Sequence, residues 1–458
     1  MRCVSDPEVK SDPQLTIRAF ALLGTIDLNL NTAAAQKDWK QVLVTAEAAQ
    51  DAKWENRAQA ELGIVAGVNG NIGAAASILF TSLSRAEKLG DTPGYVLIVT
   101  WLANGMTVHG MADKALSMIV RASELAKSNG FTEIPLQLSI ARVRALTLLP
   151  EGQQPRGRDE AKALIPEILA QAERTRVLGA ETELLNMAGQ LALVDRDYPG
   201  AEKRLKQAIQ VARDASLPRI EADALLHLSQ FYVETSRAAK AAPLIDRAIE
   251  LQQQAEEGYD LPGFIAEKAE VQAALGRLPE ADALYERATN LVEGLLVNAP
   301  SSRVKSSMIG AMSEIYLGHF RLAWNQLQNG PEAFRIIESA RGRALLDSIR
   351  YAQQSSPGRV SAAAEREIAH LQSVLLHTDL TAAQTRRVLT QLDNAYDRLS
   401  PVEYARNRKE MAMLRRSPVS LPVLQKLLGA DEAFVEYVVD TKASYAIEVV
   451  RTGLSIHT

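Results

Sequence analysis

Asp197-Tyr198-Pro199-Gly200-Ala201-Glu202-Lys203-Arg204-Leu205-Lys206-Gln207-Ala208 decides the fold. The stretch reads as a helix restart, with proline just inside the start. Ala201, Leu205 and Ala208 then recur on one helix face. Read outward, Ala201 belongs to a series: Ala75, Ala115, Ala161, Ala201, Ala241, Ala281 and Ala333, spaced by 40, 46, 40, 40, 40 and 52 residues. A second small residue follows seven positions later at Ser82, Ala122, Ala208, Ala248, Ala288 and Ala340. A third lies twelve positions earlier at Gly63, Ala103, Gly189, Ser229 and Ala269. Small residues in fixed register mark two helices packed closely, and the repeat marks that pair stacked many times. The residue four after each alanine is mostly large and apolar (Leu79, Ile119, Leu205, Ile245, Tyr285, Ile337) and fills the neighbouring groove. The turn between helices is expected five residues before the alanine, at Gly70, Gly110 and Gly276, with Arg196 and Ser236 as departures.

On these residues the chain resembles the tetratricopeptide repeat family. Asp197-Tyr198-Pro199-Gly200-Ala201 and Arg277-Leu278-Pro279-Glu280-Ala281 match that family's turn and the start of its second helix. A degenerate copy lies at Lys37-Asp38-Trp39-Lys40, with Val42 in place of the alanine and Ala49 seven later. The 46-residue interval holds Pro150 to Gly157, read as a loop insertion. The resemblance implies an all-α, right-handed superhelix of helix pairs over residues 10–350.

Composition agrees with long helices and few turns: aromatic content is 5% and glycine numbers 26 in 458 residues. Net charge is −4, from Lys+Arg 51 against Asp+Glu 55, so no basic footprint for nucleic acid is expected. The runs Arg341-Gly342-Arg343, Arg406-Asn407-Arg408-Lys409 and Arg415-Arg416 read as solvated helix faces. One cysteine, Cys3, leaves no internal disulfide and no all-cysteine metal cluster. No apolar run is long enough to span a bilayer, and no secretory signal stands at the start. The expectation is a cytoplasmic protein. Cys3 becomes an acylation candidate should the true protein begin upstream.

After residue 350 the character changes. A helical connector is expected over 351–416, with helices at about 361–378 and 380–413 joined near His377-Thr378-Asp379. Asp379 or Thr381 would cap the second. Leu421 to Leu428 reads as a short helix. Ala433 to Val439 and Ser444 to Arg451 alternate as strands of a hairpin across Asp440-Thr441-Lys442-Ala443, and the start of a third strand is expected at Leu454. A lone hairpin is marginal in water, so residues 417–458 read as the opening of a larger α/β domain. This ending resembles the start of the CHAT domain, a caspase-like cysteine peptidase fold. The residues that carry it are the helix Glu338 to Asp347, the charged connector, and Asp431-Glu432-Ala433-Phe434-Val435-Glu436-Tyr437-Val438 with Ser444-Tyr445-Ala446. That family's nucleophile is a cysteine beside a histidine base. Neither carries over, because Cys3 is far upstream and His457 precedes the family's histidine. The chain is therefore expected to be catalytically inactive, as a piece of a longer protein or a gene that lost its peptidase half.

Other chemistry is absent from the pattern. There is no glycine-rich phosphate loop ending in Gly-Lys-Ser/Thr and no His-Glu-x-x-His helix, so no nucleotide, metal or other cofactor is expected. His370 and His377, seven apart, read as a solvated face; His227 and His319, in repeat helices, read as packed or hydrogen-bonded. The tetratricopeptide resemblance puts the first helix of each pair on the concave side, where the polar positions are Asn104, Asn186, Gln190, Gln230 and Glu270. Asn104, Gln190, Gln230 and Glu270 all follow directly after the small residue. Amides there both donate and accept, as needed to hold an extended peptide backbone, and the acid Glu270 favours a ligand with positive charge. The equal alternative is that these groups only solvate the groove or bond across repeats. The expected function is a scaffold or sensor that binds a peptide or protein in its groove and, in the intact protein, controls a caspase-like peptidase. The alternative is a stand-alone adaptor whose hairpin pairs with another chain's sheet edge.

Overall fold

The computed structural model describes residues 9, 11–28, 30–254, 259–297, 312–340, 370, 387, 391, 420–440 and 443–458. The chain forms two compact units, Met1–Asp260 and Leu261–Thr458. The first holds α1 (Pro13–Asp27), α2 (Thr32–Ala48), α3 (Ala52–Val68), α4 (Ile72–Lys88), α5 (Thr92–Val108), α6 (Ala112–Ser128), α7 (Leu136–Thr147), α8 (Gln154–Thr175), α9 (Leu178–Val194), α10 (Tyr198–Asp214), α11 (Pro218–Glu234) and α12 (Ala238–Gln254). The second holds α13 (Leu261–Ala274), α14 (Leu278–Val297) and α15 (Ser313–Arg321), which runs into a π-helical turn at Leu322–Gln326. Residues 330–340 are helical. Then follow α16 (Leu421–Leu427), β1 (Ala433–Val439), β2 (Ser444–Val450) and β3 (Gly453–His457). The heaviest helix packing joins α1 with α2, α3 with α4, and so on to α13 with α14. The fold is an all-α, tetratricopeptide-like stack of antiparallel helix pairs carrying a small sheet.

Half of the helices from α2 to α15 begin 20 residues after the last, and one turn explains why. Gln50, Gly70, Gly90, Gly110, Gly130, Arg176, Arg196, Ser216, Ser236 and Gly276 all have positive φ. This left-handed residue ends the helix, and the next N–H reaches back to a carbonyl five residues earlier. Examples are Asn71 to Ala66 at 2.8 Å, Asp91 to Ala86 at 3.0 Å and Asp197 to Ala192 at 2.8 Å. The residue that closes one helix also caps the next: side chains of Asp51, Asn71, Asp91 and Asp197 accept the amides of Trp54, Ala74, Gly94 and Gly200. Three residues thus reverse the chain.

The small residues are where helices touch. Ala75, Ala115, Ala161, Ala201, Ala241, Ala281 and Ala333 are all buried. A methyl group added to Gly63 would sit 2.9 Å from Ile78 Cγ2, and one on Gly189 2.7 Å from Leu205 Cγ. Close packing leaves no room for either. The Pro150–Gly157 segment differs from the expected loop. Glu151–Gln153 is a 3-10 turn and α8 already begins at Gln154, with Pro155 in its first turn. Proline suits that position, so the extra residues lengthen a helix.

In unit 2 the sheet runs β1-β2-β3, all antiparallel, with Val438 opposite Tyr445 and Ile447 opposite both Glu436 and Ile456. Val438, Tyr445, Ile447, Val449 and Ile456 are buried, while Val435, Tyr437 and Val439 are exposed on the other face. The inner face meets α15. Phe320 packs edge-on against Tyr445, with ring centroids 5.1 Å apart. The Asn325 side chain donates to the Tyr445 hydroxyl at 3.2 Å, and Arg321 donates to both Asp440 oxygens at 3.1 and 2.9 Å. The connector expected at 351–416 lies outside the described residues apart from positions 370, 387 and 391, as do Cys3, His377, Arg341 to Arg343, Arg406 to Lys409 and Arg415-Arg416.

Candidate functional site

On α9, Glu183, Asn186 and Gln190 are spaced i, i+3 and i+7 and so share one face. The corresponding side of α11 carries Asp223, His227 and Gln230. These faces meet through polar contacts. Asn186 Nδ2 donates to His227 Nδ1 at 2.7 Å. Burial lowers the His227 pKa to about 4, aided by the Arg144 charge, so the ring is neutral at physiological pH and can accept that bond. Arg144 of α7 donates to Glu183 at 2.8 Å.

Two carboxyls stand beside this group. Asp223 is half-buried and Asp260 exposed, yet both titrate high. Desolvation is the first cause for each. Asp223 rises to about 7, pushed further by Asp260 and Glu183 and opposed by Arg219 and Arg144. Asp260 rises for the same first reason, against the pull of Arg219 and Arg144. The Tyr259 hydroxyl is 3.4 Å from His109 Nε2, and the rings meet edge-on at 6.1 Å, although 150 residues separate them.

Of the polar residues expected in the groove, four lie in unit 1. Asn104 is half-buried, with its side-chain oxygen buried and without a hydrogen-bond partner. Asn186 is 7% exposed, and its oxygen is likewise buried and unpartnered. Gln190 is half-buried and Gln230 exposed. Glu270 belongs to unit 2, where it accepts the Tyr285 hydroxyl at 2.7 Å and lies 3.5 Å from Arg321. Its charge is answered within its own unit. His319, also in unit 2, is 1% exposed, stacks on Tyr285 at 5.4 Å and contacts Asp282 at 3.0 Å.

The sequence reading missed Arg144, Glu183, Arg219, Asp223 and Asp260. A signal was present: six residues before the small residues Gly63, Gly189 and Ser229 stand Arg57, Glu183 and Asp223, all charged. Among the described residues no group of histidine, cysteine, aspartate or glutamate is arranged to hold a metal ion, and no helix is long and apolar enough to cross a membrane.

No protein-family model matches the sequence, and no curated protein matches it at a significant level. Solved structures similar to this chain are helical-repeat proteins. A signal-transduction ATPase with numerous domains and a tetratricopeptide repeat sensor, from Pyrococcus horikoshii, has a TM-score of 0.39 at 14% identity, covering 80% of this chain and 53% of that one. The chain thus spans about half the length of that protein. A Rap protein complexed with competence and sporulation factor has a TM-score of 0.28 at 13% identity, covering 66% of this chain and 98% of that one. A circular tandem repeat protein has a TM-score of 0.19 at 14% identity, covering 84% and 99%. The tetratricopeptide-like fold rests on the chain's own repeat geometry.

Proposed function

We propose that this chain is a binding module without catalysis of its own, and that the groove of unit 1 holds an extended peptide or polypeptide segment through Asn104, Asn186, Gln190 and Gln230. One observation carries the reading. Asn104 on α5 and Asn186 on α9 both keep a buried side-chain oxygen without a hydrogen-bond partner. A buried acceptor left unmade costs roughly 1–3 kcal/mol, which a ligand N–H recovers on binding. An amide that both donates and accepts suits a peptide backbone in either direction.

The role that follows is an interaction scaffold or sensor. We further propose that 417–458, with its three strands, begins a caspase-like α/β domain of the CHAT kind, whose peptidase activity the groove regulates in the intact protein. Strand alternation and the exposed apolar side chains of Val435, Tyr437 and Val439, which a further layer would cover, support it. The second reading is a stand-alone adaptor. The gene sequence beyond the Thr458 codon separates them: an in-frame His-Gly and a later Asp-x-Cys supports the peptidase reading, and a stop codon supports the adaptor.

The groove itself is tested by selecting peptides from a displayed random heptapeptide library on the full chain. Selected peptides are expected to lose affinity tenfold or more when Asn104, Asn186, Gln190 and Gln230 are all changed to alanine, on the order of 1.4 kcal/mol or above. Undiminished affinity would move binding away from these residues.

A further inference from the structure

Arg321 is the last residue of α15, and its guanidinium faces three carboxylates at once. Nη1 donates to both oxygens of Asp440, at 3.1 and 2.9 Å, and lies 3.6 Å from Glu314, while Nη2 lies 3.5 Å from Glu270. We propose that this arginine is an exchangeable clasp on the sheet. It holds the end of β1 through Asp440, and when Asp440 is released its charge passes to Glu270 and Glu314.

The partners are unequal in the way an exchange requires. The Asp440 side chain is 0% exposed, against 36% for Glu270 and 63% for Glu314, and that of Arg321 is 14% exposed. A largely buried guanidinium stripped of a sole carboxylate would be left uncompensated, which is costly. Here two further carboxylates already stand at 3.5 and 3.6 Å, one from α13 and one from the first turn of α15. Breaking the buried contact therefore leaves Arg321 paired. While the sheet is seated, these two acids reach water, where ion pairs are weak, so they draw on Arg321 without displacing Asp440. Glu270 is held ready: it accepts the Tyr285 hydroxyl at 2.7 Å, and Tyr285 stacks on His319 of α15 with ring centroids 5.4 Å apart. The second seat of Arg321 is built into the packed helices rather than assembled on release.

The backbone around Arg321 points the same way. α15 gives way at Leu322 to a π-helical turn, in which the Leu327 amide donates to the Leu322 carbonyl at 3.0 Å. Such wide turns are rare and collect at functional sites. Asn325, inside the turn, donates to the Tyr445 hydroxyl at 3.2 Å. Tyr445 stands opposite Val438, two residues before Asp440, so the π turn and the clasp grip the same end of the β1–β2 hairpin.

Hydrogen exchange of the full chain, read by mass spectrometry over 433–450, tests the exchange. Glu270→Gln combined with Glu314→Gln removes the rival charges, keeps the side-chain shape and keeps an acceptor for Tyr285; unchanged circular dichroism verifies folding. Arg321 then serves Asp440 alone, and exchange over β1 and β2 is expected to slow roughly two- to fivefold, the range set by a partly exposed ion pair. In an Asp440→Asn background the sign should reverse. The two acids are then the remaining partners of Arg321, and removing them should lower the thermal midpoint. Faster exchange in Glu270→Gln/Glu314→Gln with Asp440 intact would show that the acids support the seat rather than compete for it. Unchanged exchange, or a midpoint unmoved in the Asp440→Asn background, would show that Arg321 belongs to Asp440 alone. Any of these results overturns the proposal and leaves the groove of unit 1 untouched, since all of these residues lie in unit 2.

Discussion

Glu61 sits in α3 with 7% of its surface exposed, and burial alone raises its carboxyl from 4.5 to about 7. Glu61→Gln isolates that burial, because glutamine has the same shape and no charge to desolvate. The rise is worth roughly 3 kcal/mol at full ionisation. Its sign follows from proton uptake. The folded state holds the proton up to about pH 7 while the unfolded chain releases it near 4.5, so native stability declines as pH rises between those values. Glu61→Gln should therefore match the native chain near pH 4.5 and exceed it above about pH 7.5 by up to roughly 3 kcal/mol. Urea unfolding at several pH values, read by circular dichroism and by the slope as well as the midpoint, measures the difference. An advantage that is the same at every pH would show that burial does not perturb this carboxyl. A glutamine variant less stable at high pH would show that the ionised Glu61 has a cationic partner.

Three further outcomes follow from the packing. Gly189→Ala should lower stability by roughly 1–3 kcal/mol, because its methyl group would press on Leu205, whereas Gly105→Ala, with open space around it, should raise stability by up to about 1 kcal/mol; thermal midpoints in opposite directions confirm the contrast. Ser236→Gly should stabilise by roughly 0.5–1 kcal/mol, since Ser236 holds φ of 59° at a turn where glycine is strain-free; an unchanged urea midpoint would contradict it. Arg321→Ala should lower stability within unit 2, because the Asp440 side chain is 0% exposed and would lose the two hydrogen bonds that Arg321 donates at 3.1 and 2.9 Å. Faster proteolysis within 420–458 than in the native chain is the expected readout.

The repeat was legible because packing is periodic in sequence. Ala75 to Ala333 mark contacts that only small residues permit, and the same register located the turns at Gly70, Gly110 and Gly276. The half-period of 20 was hidden for a physical reason: the left-handed turn residue is glycine at positions 70, 90, 110 and 130 but Arg196, Ser216 and Ser236 later, where the turn tolerates a side chain. The first two strands were legible from alternation and the third only as a start at Leu454, while the seat of the sheet on α15 was not legible. Arg321 and Asp440 are 119 residues apart, and no local pattern pairs them. The proposed groove rests partly on counting: Asn104, Gln190 and Gln230 stand one position past the small residue, while the charged position six before it was not singled out by the count. Glu270 shows the limit of counting: it shares the register of Gln190 and Gln230, but Tyr285 and Arg321 engage it.

Photo-crosslinking tests the groove most directly. A library-selected peptide carrying a benzophenone at its central residue is bound to the full chain, irradiated, and its attachment points mapped by mass spectrometry. Attachment within residues 183–190 and 223–230, on the shared faces of α9 and α11, is the expected result. Attachment to the outward faces of α4 or α6, where Phe80 and Val120 stand exposed, would contradict a binding groove on the first helices of the pairs.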